Sequence, residues 1–194
     1  MRKWKRSLHW IAVKSTIGIE RGHTMRILVL NGSPHPEGNT SKMIAVFRAS
    51  AENAGHYVAV IDVCRKNIRG CLACEYCHGK GQGQCIQKDD MQEVYALLRE
   101  ADMLVLASPI YYHNLSGQLK CAIDRFYSVL YPKAQMRLRK VAMFLSSGDA
   151  GMDIGARFSF EGDFLDYLGL ENMGLYTNHQ TNVLEQIAAM AERL

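Results

Sequence analysis

The sequence predicts an α/β domain: a three-layer sandwich in which helices cover both faces of a five-stranded parallel sheet of order 2-1-3-4-5. Three observations lead there. Short runs such as Ile-Leu-Val-Leu at 27–30 and Met-Leu-Val-Leu-Ala at 103–107 are apolar throughout, as strands buried on both faces require. Between the runs lie longer stretches with apolar residues at helical spacing. A chain of 194 residues at 48% hydrophobic content is also long and apolar enough for one sizeable core.

The elements follow in order. Residues 27–30 form the first strand. A helix over 40–54 carries Met43, Phe47 and Ala54 near one face and stops at Gly55. Residues 57–63 form the second strand, and 64–88 then break the rhythm with cysteines, glycines and polar residues. Asp89 and Asp90 open a helix reaching about residue 99, followed by the third strand at 102–107. Residues 117–130 read as a helix and 141–146 as the fourth strand. Phe160, Phe164 and Leu168 stripe a helix that Gly169 ends, and 170–176 form a weaker fifth strand. Val183, Ile187, Met190 and Leu194 stripe the last helix.

Residues 25–194 make up this domain, because Met25 stands directly before the first strand. Residues 1–24 carry Arg2, Lys3, Lys5, Arg6, Lys14 and Arg21 against Glu20, a net of +5, so the whole-chain +4 leaves the remainder at −1. A body that close to neutral indicates no nucleic-acid partner. The apolar stretch at 10–13 is too short for a signal peptide and ends at Lys14, so 1–24 reads as a basic extension. A basic arm touching anionic partners is the other reading of it. No apolar run approaches the length that spans a bilayer, so no membrane association is expected. Six cysteines without an export signal point to a cytoplasmic protein rather than a disulfide framework.

Residues 26–41, Arg-Ile-Leu-Val-Leu-Asn-Gly-Ser-Pro-His-Pro-Glu-Gly-Asn-Thr-Ser, run from strand to small-residue loop to helix. Unpaired N–H groups and the helix dipole favour an anion at such a helix start. Ser33, Thr40 and Ser41 add hydroxyl donors and Asn39 an amide. The loop lacks the Gly-Lys-Ser/Thr of a nucleotide-triphosphate loop and the G-x-G-x-x-G of a dinucleotide site. A monophosphate such as that of FMN fits what remains. A plain Ser-Pro turn capping an amphipathic helix is the competing reading.

The strand order would bring three loops to one crevice: 31–41, 108–116 and 146–152. The second offers Tyr111 and Tyr112 to stack on a planar ring, and the third is small enough to lie against it. Two adjacent tyrosines are in themselves as well explained by packing or an interface, and His35 and His113 by ordinary loop positions.

Residues 26–130 resemble the NADPH-dependent FMN reductase family of the flavodoxin-like superfamily. The shared words are Leu-Asn-Gly-Ser-Pro at 30–34 with Gly-Asn-Thr-Ser at 38–41, Ser-Pro-Ile-Tyr-Tyr at 108–112, Ser-Gly-Gln-Leu-Lys at 116–120 and Ile-Asp-Arg at 123–125. The resemblance implies a flavodoxin-like FMN-binding fold, with Ser33, His35, Asn39, Thr40 and Ser41 on the FMN phosphate. It implies Pro109, Ile110, Tyr111, Tyr112, Ser147 and Gly148 along the ring, with no obligatory side-chain acid or base. It assigns Lys120 and Asp124 to helix packing or a subunit interface, and it implies a homodimer or homotetramer. The implied activity moves electrons from NAD(P)H to a flavin, quinone or aromatic acceptor. The resemblance fades beyond about residue 150.

The cysteines Cys71-x2-Cys74-x2-Cys77-x7-Cys85 supply four thiolates from one short loop. The spacing departs from the bacterial ferredoxin pattern, since Cys85 follows at a longer interval and precedes Ile86. It is closer to that of the iron–sulfur flavoproteins, relatives of the FMN reductases with a 4Fe-4S cluster. Three occupancies stay open: such a cluster, zinc with His78 as a substitute ligand, or free thiols. Cys64 and Cys121 fall outside the spacing and read as small core residues. The alternative function is therefore an iron–sulfur flavoprotein electron carrier fed by a ferredoxin-like donor. A flavin-binding regulatory module is a third class, for which no partner-binding stripe is visible.

Overall fold

The computed structural model describes residues 24–131 and 136–194. The basic extension expected at 1–24 lies, apart from Thr24, outside the described residues. The elements are β1 (Arg26–Asn31), α1 (Asn39–Asn53), β2 (Tyr57–Asp62), α2 (Met91–Leu98), β3 (Met103–Tyr111) and β4 (Asn114–Leu115). There follow α3 (Gly117–Asp124), α4 (Tyr127–Leu130), β5 (Lys140–Ser146), α5 (Ile154–Ser159), β6 (Glu171–Thr177) and α6 (Val183–Glu192).

Five strands run parallel in the order β2-β1-β3-β5-β6, which is the 2-1-3-4-5 arrangement that the sequence predicts. Strand pleating sends successive side chains to opposite faces, which explains the unbroken apolar runs. Ile27, Val29, Met103, Val105 and Phe144 meet Met43, Phe47 and Ala51 of α1 and Ile187 and Met190 of α6. Leu28, Leu30, Leu104, Leu106 and Met143 meet α2, α3 and Phe160 and Phe164 on the other side. Each such fully buried aliphatic side chain contributes about 1.5–3 kcal/mol. The sheet is thereby fixed from both sides, and its carboxyl ends become a rigid rim.

Three elements differ from expectation. The stretch 108–116 is mostly strand: β3 continues to Tyr111, turns at Tyr112 and His113, and returns as β4 with Ile110 opposite Leu115. Both turn residues have positive φ, 50° and 65°, the conformation that a two-residue hairpin demands and that sequence rules assign to Asn or Gly. The helix expected over 117–130 breaks into α3 and α4, because Arg125 N–H bonds the Ala122 carbonyl and Phe126 N–H the Ile123 carbonyl in a tightened last turn. The helix striped by Phe160 and Phe164 is a π-helical continuation of α5 over Phe160–Tyr167, with both rings still buried.

Candidate functional site

The three expected loops meet at the carboxyl rim. Parallel register places Asn31 beside Ala107 and Pro109 beside Ser146. Gly32 N–H donates to the Ala107 carbonyl at 2.8 Å, and a Cβ on Gly32 would lie 2.5 Å from Ser116 Oγ and 2.8 Å from Leu119 Cβ. Only glycine allows the first loop to approach α3 this closely.

Within that loop, Asn31 is the organiser that sequence reasoning missed. Its side-chain N–H donates to Asp62 at 2.8 Å and its Oδ1 accepts from Ser33 N–H at 2.9 Å. Ser33 Oγ accepts from His35 N–H at 3.3 Å. Ser41 Oγ donates to the His35 carbonyl at 2.9 Å, so its hydrogen is committed to shaping the loop in this conformation. Gly38 forms the helix cap without a side-chain hydrogen bond, leaving the first-turn N–H groups of α1 facing the loop. Those donors, with Ser33 and Asn39 at hand, fit a phosphate. His35 and Asn39 are exposed, whereas Thr40 is buried and shares a 2.8 Å hydrogen bond with Ser146 Oγ. Thr40 thus ties the first loop to the third rather than pointing outward. A cleft of about 490 Å³ opens beside Ser33 and Ser41 and is also lined by Arg48 and Arg65, two cations that motif reading passed over.

The second loop presents Tyr111 half-exposed and Tyr112 fully exposed at the hairpin tip, next to Pro109 and Ile110. The third loop is held by Asn178, which accepts from Ser147 N–H at 2.9 Å and donates back to the Ser147 carbonyl at 3.1 Å. His179 Nε2 lies 3.0 Å from the same carbonyl. Gly148 beyond it is exposed, leaving a small surface for a flat ring. Asn178 sits just past β6, where no local pattern signals a contact with β5.

The segment that leaves β2 joins the same rim through Cys64. Cys64, expected in the core, is half-buried and donates its S–H to the Ser33 carbonyl at 2.9 Å. Burial raises its pKa, with the Asp62 charge acting in the same direction. All six cysteines are free. Cys71 and Cys74 are exposed, and Cys77 and Cys85 partly covered. Among the described residues no three Cys, His, Asp or Glu side chains converge tightly enough to grip a metal ion. The donors are nevertheless of the kind a cluster takes, four free thiols on one irregular loop. Burial, with charge on Cys85, Glu75 and Cys71 acting in the same direction, pushes the Cys77 thiol up. Burial also opposes ionisation of Cys85, but hydrogen bonds from Gln87 N–H, Tyr95 and Arg125 outweigh it and lower its pKa. His78, the substitute ligand for zinc, instead packs on Tyr127 and Tyr131, with Nε2 at 3.0 Å from the Tyr127 carbonyl.

Residues 25–157 match the family model described as NADPH-dependent FMN reductase. The chain belongs to that family. Among its relatives, an iron–sulfur flavoprotein of Methanocaldococcus jannaschii is 35% identical over 69% of this chain and 68% of its own length. An iron–sulfur flavoprotein of Archaeoglobus fulgidus is 41% identical over 52% of this chain, and the match spans only 45% of that relative. Among solved structures, the NAD(P)H:quinone oxidoreductase of Methanothermobacter marburgensis superposes with a TM-score of 0.66 at 21% identity, covering 88% of this chain and 94% of the other. The azoreductase of Bacillus anthracis gives 0.65 at 14%, covering 88% and 100%. These two likenesses show the flavodoxin-like fold. The matching model is that of an FMN-binding family. No helix among the described residues is long and apolar enough to cross a membrane.

Proposed function

We propose that the chain is an iron–sulfur flavoprotein, taking electrons singly from a ferredoxin-like donor and delivering them to a small-molecule acceptor. The observation that carries this reading is the set of four free thiols, Cys71, Cys74, Cys77 and Cys85, on one irregular loop. Relatives named for an iron–sulfur centre support it over a reductase that uses a nicotinamide alone. FMN, when bound, supplies interchange between one- and two-electron transfer.

The chain's own residues supply the rest. Asn31, Gly38 and Ser33 shape the anion cradle, Asn178 fixes the Ser147 peptide, and Tyr111 and Tyr112 offer ring faces for stacking. Cys71, Cys74, Cys77 and Cys85 would hold a 4Fe-4S cluster. The second reading, an FMN reductase fed by NAD(P)H, is favoured by the matching family model. The exposed Tyr127, Tyr131, Phe158 and Tyr167 support a homodimer or homotetramer, which light scattering would reveal.

Anaerobic purification with counts of iron and acid-labile sulfide per flavin tests the main reading. About four irons per chain are expected. Cys74→Ala should lose the iron and keep FMN. Flavin without iron, bleached by NADPH or NADH, would replace the main reading with the second.

A further inference from the structure

Among the described residues Arg125 is the largest fully buried side chain, and nothing in the flavin site uses it. Its side chain is 1% exposed and that of its partner Asp89 2%. Burying a charge is costly unless its donors are satisfied, and a guanidinium has five. Here every N–H group has a partner. Nη1 donates to Asp89 Oδ2 at 2.5 Å and to the Arg69 carbonyl at 3.1 Å. Nη2 donates to Cys85 Sγ and to the Gln87 carbonyl, both at 3.5 Å, and Nε to Tyr95 Oη at 3.2 Å.

The sequence positions of these partners matter. Arg69 precedes the first of the four cysteines, while Cys85, Gln87 and Asp89 follow the third. One side chain from the end of α3 therefore grips both limbs of the loop. The same neck is tied by Asn67 N–H to Asp90 Oδ2 at 2.7 Å, Arg69 N–H to Asp89 Oδ2 at 3.2 Å and Gln87 Nε2 to the Gly70 carbonyl at 3.0 Å. Cys71, Cys74 and Cys77 are near neighbours that short local turns can gather. Cys85 must come from across the loop, and its sulfur is the one the guanidinium touches.

We propose that Arg125 is the positioning residue that closes the neck of the cysteine loop and presents Cys85 as the fourth thiolate of the metal site. The assignment rests on the cluster reading above. Lysine cannot replace the guanidinium, since an ammonium is a point charge without the planar fork. Outer-shell partners of this kind are worth roughly 10- to 100-fold in metal affinity.

The test uses the full chain with FMN, reduced and stripped of iron, titrated with cobalt(II). Sulfur-to-cobalt charge-transfer intensity per metal reports how many thiolates bind. Wild type should show four, and Arg125→Lys three, with affinity lower by about 10- to 100-fold. The Arg125→Lys/Cys85→Ala double variant should bind no more weakly than Cys85→Ala alone. FMN retention and an unchanged melting profile would separate this from general unfolding. Four thiolates in Arg125→Lys, or losses that add in the double variant, would overturn the proposal and leave the cluster reading standing. If Arg125→Lys fails to fold, wild type loaded with NMR-active cadmium decides. A coupling from the metal through Cys85 sulfur to an Arg125 Nη proton is expected, and its absence at full thiolate occupancy refutes the role. Wild type without any thiolate charge transfer would remove the cluster reading, and the proposal with it.

Discussion

At the scale of single residues, the site is held by small groups in tight places. A methyl on Gly32 would press into Ser116 Oγ and Leu119 Cβ at 2.5 and 2.8 Å. Gly32→Ala should therefore lower stability by about 1–3 kcal/mol, read as a shifted urea midpoint, and weaken FMN binding by displacing the loop. Thr40 makes a different kind of bridge, through hydroxyl to Ser146 Oγ at 2.8 Å. Thr40→Val keeps the shape but removes the hydrogen bond between the two loops. A loss of about 1 kcal/mol is expected, with Thr40→Ser close to wild type in the same denaturation experiment.

At the scale of elements, the β3–β4 hairpin stores strain. Tyr112 has a φ of 50° and a side chain fully exposed to solvent. A bulky residue in that region costs about 1–2 kcal/mol, and such cost persists where a side chain is needed for function. Tyr112→Gly should raise the melting temperature and at the same time slow turnover of an aromatic acceptor. A rise in stability with unchanged turnover would show that the ring plays no part. The α3–α4 break belongs to the same scale. Sequence periodicity runs through 117–130 without interruption, yet the chain turns after Asp124 and Arg125 swings inward beneath it. The charge of Arg125 is one that helix rules place at a surface, so its burial against Asp89 was invisible in the pattern.

For the whole molecule, stability should depend on pH through the far edge of the sheet. His56 Nδ1 accepts from Met25 N–H at 3.2 Å, pinning the entry to β1 against the entry to β2. Burial lowers the His56 pKa below its ordinary 6.5, so the neutral ring is the folded form. The contribution is then complete above that value and is lost as pH falls through the lower folded pKa. Wild type should lose more stability than His56→Gln when the urea midpoint is followed from about pH 7 to about pH 5. This histidine lies at the end of the sheet opposite the three loops.

Sequence alone determined the parallel α/β sandwich, its strand order, the small-residue loop before the first helix and the cysteine spacing, because burial on both faces and helix starts leave local, periodic marks. Ser33, Ser147, Gly148 and the tyrosines were legible as neighbours of strand ends. Only the tertiary structure decided what Asn31, Asn178, Thr40 and Arg125 do, since each acts on a partner more than 25 residues away or through a turn that breaks its own element. Hydrogen bonds between distant segments have no period, so nothing in the order of residues announces them until the sheet brings the segments together.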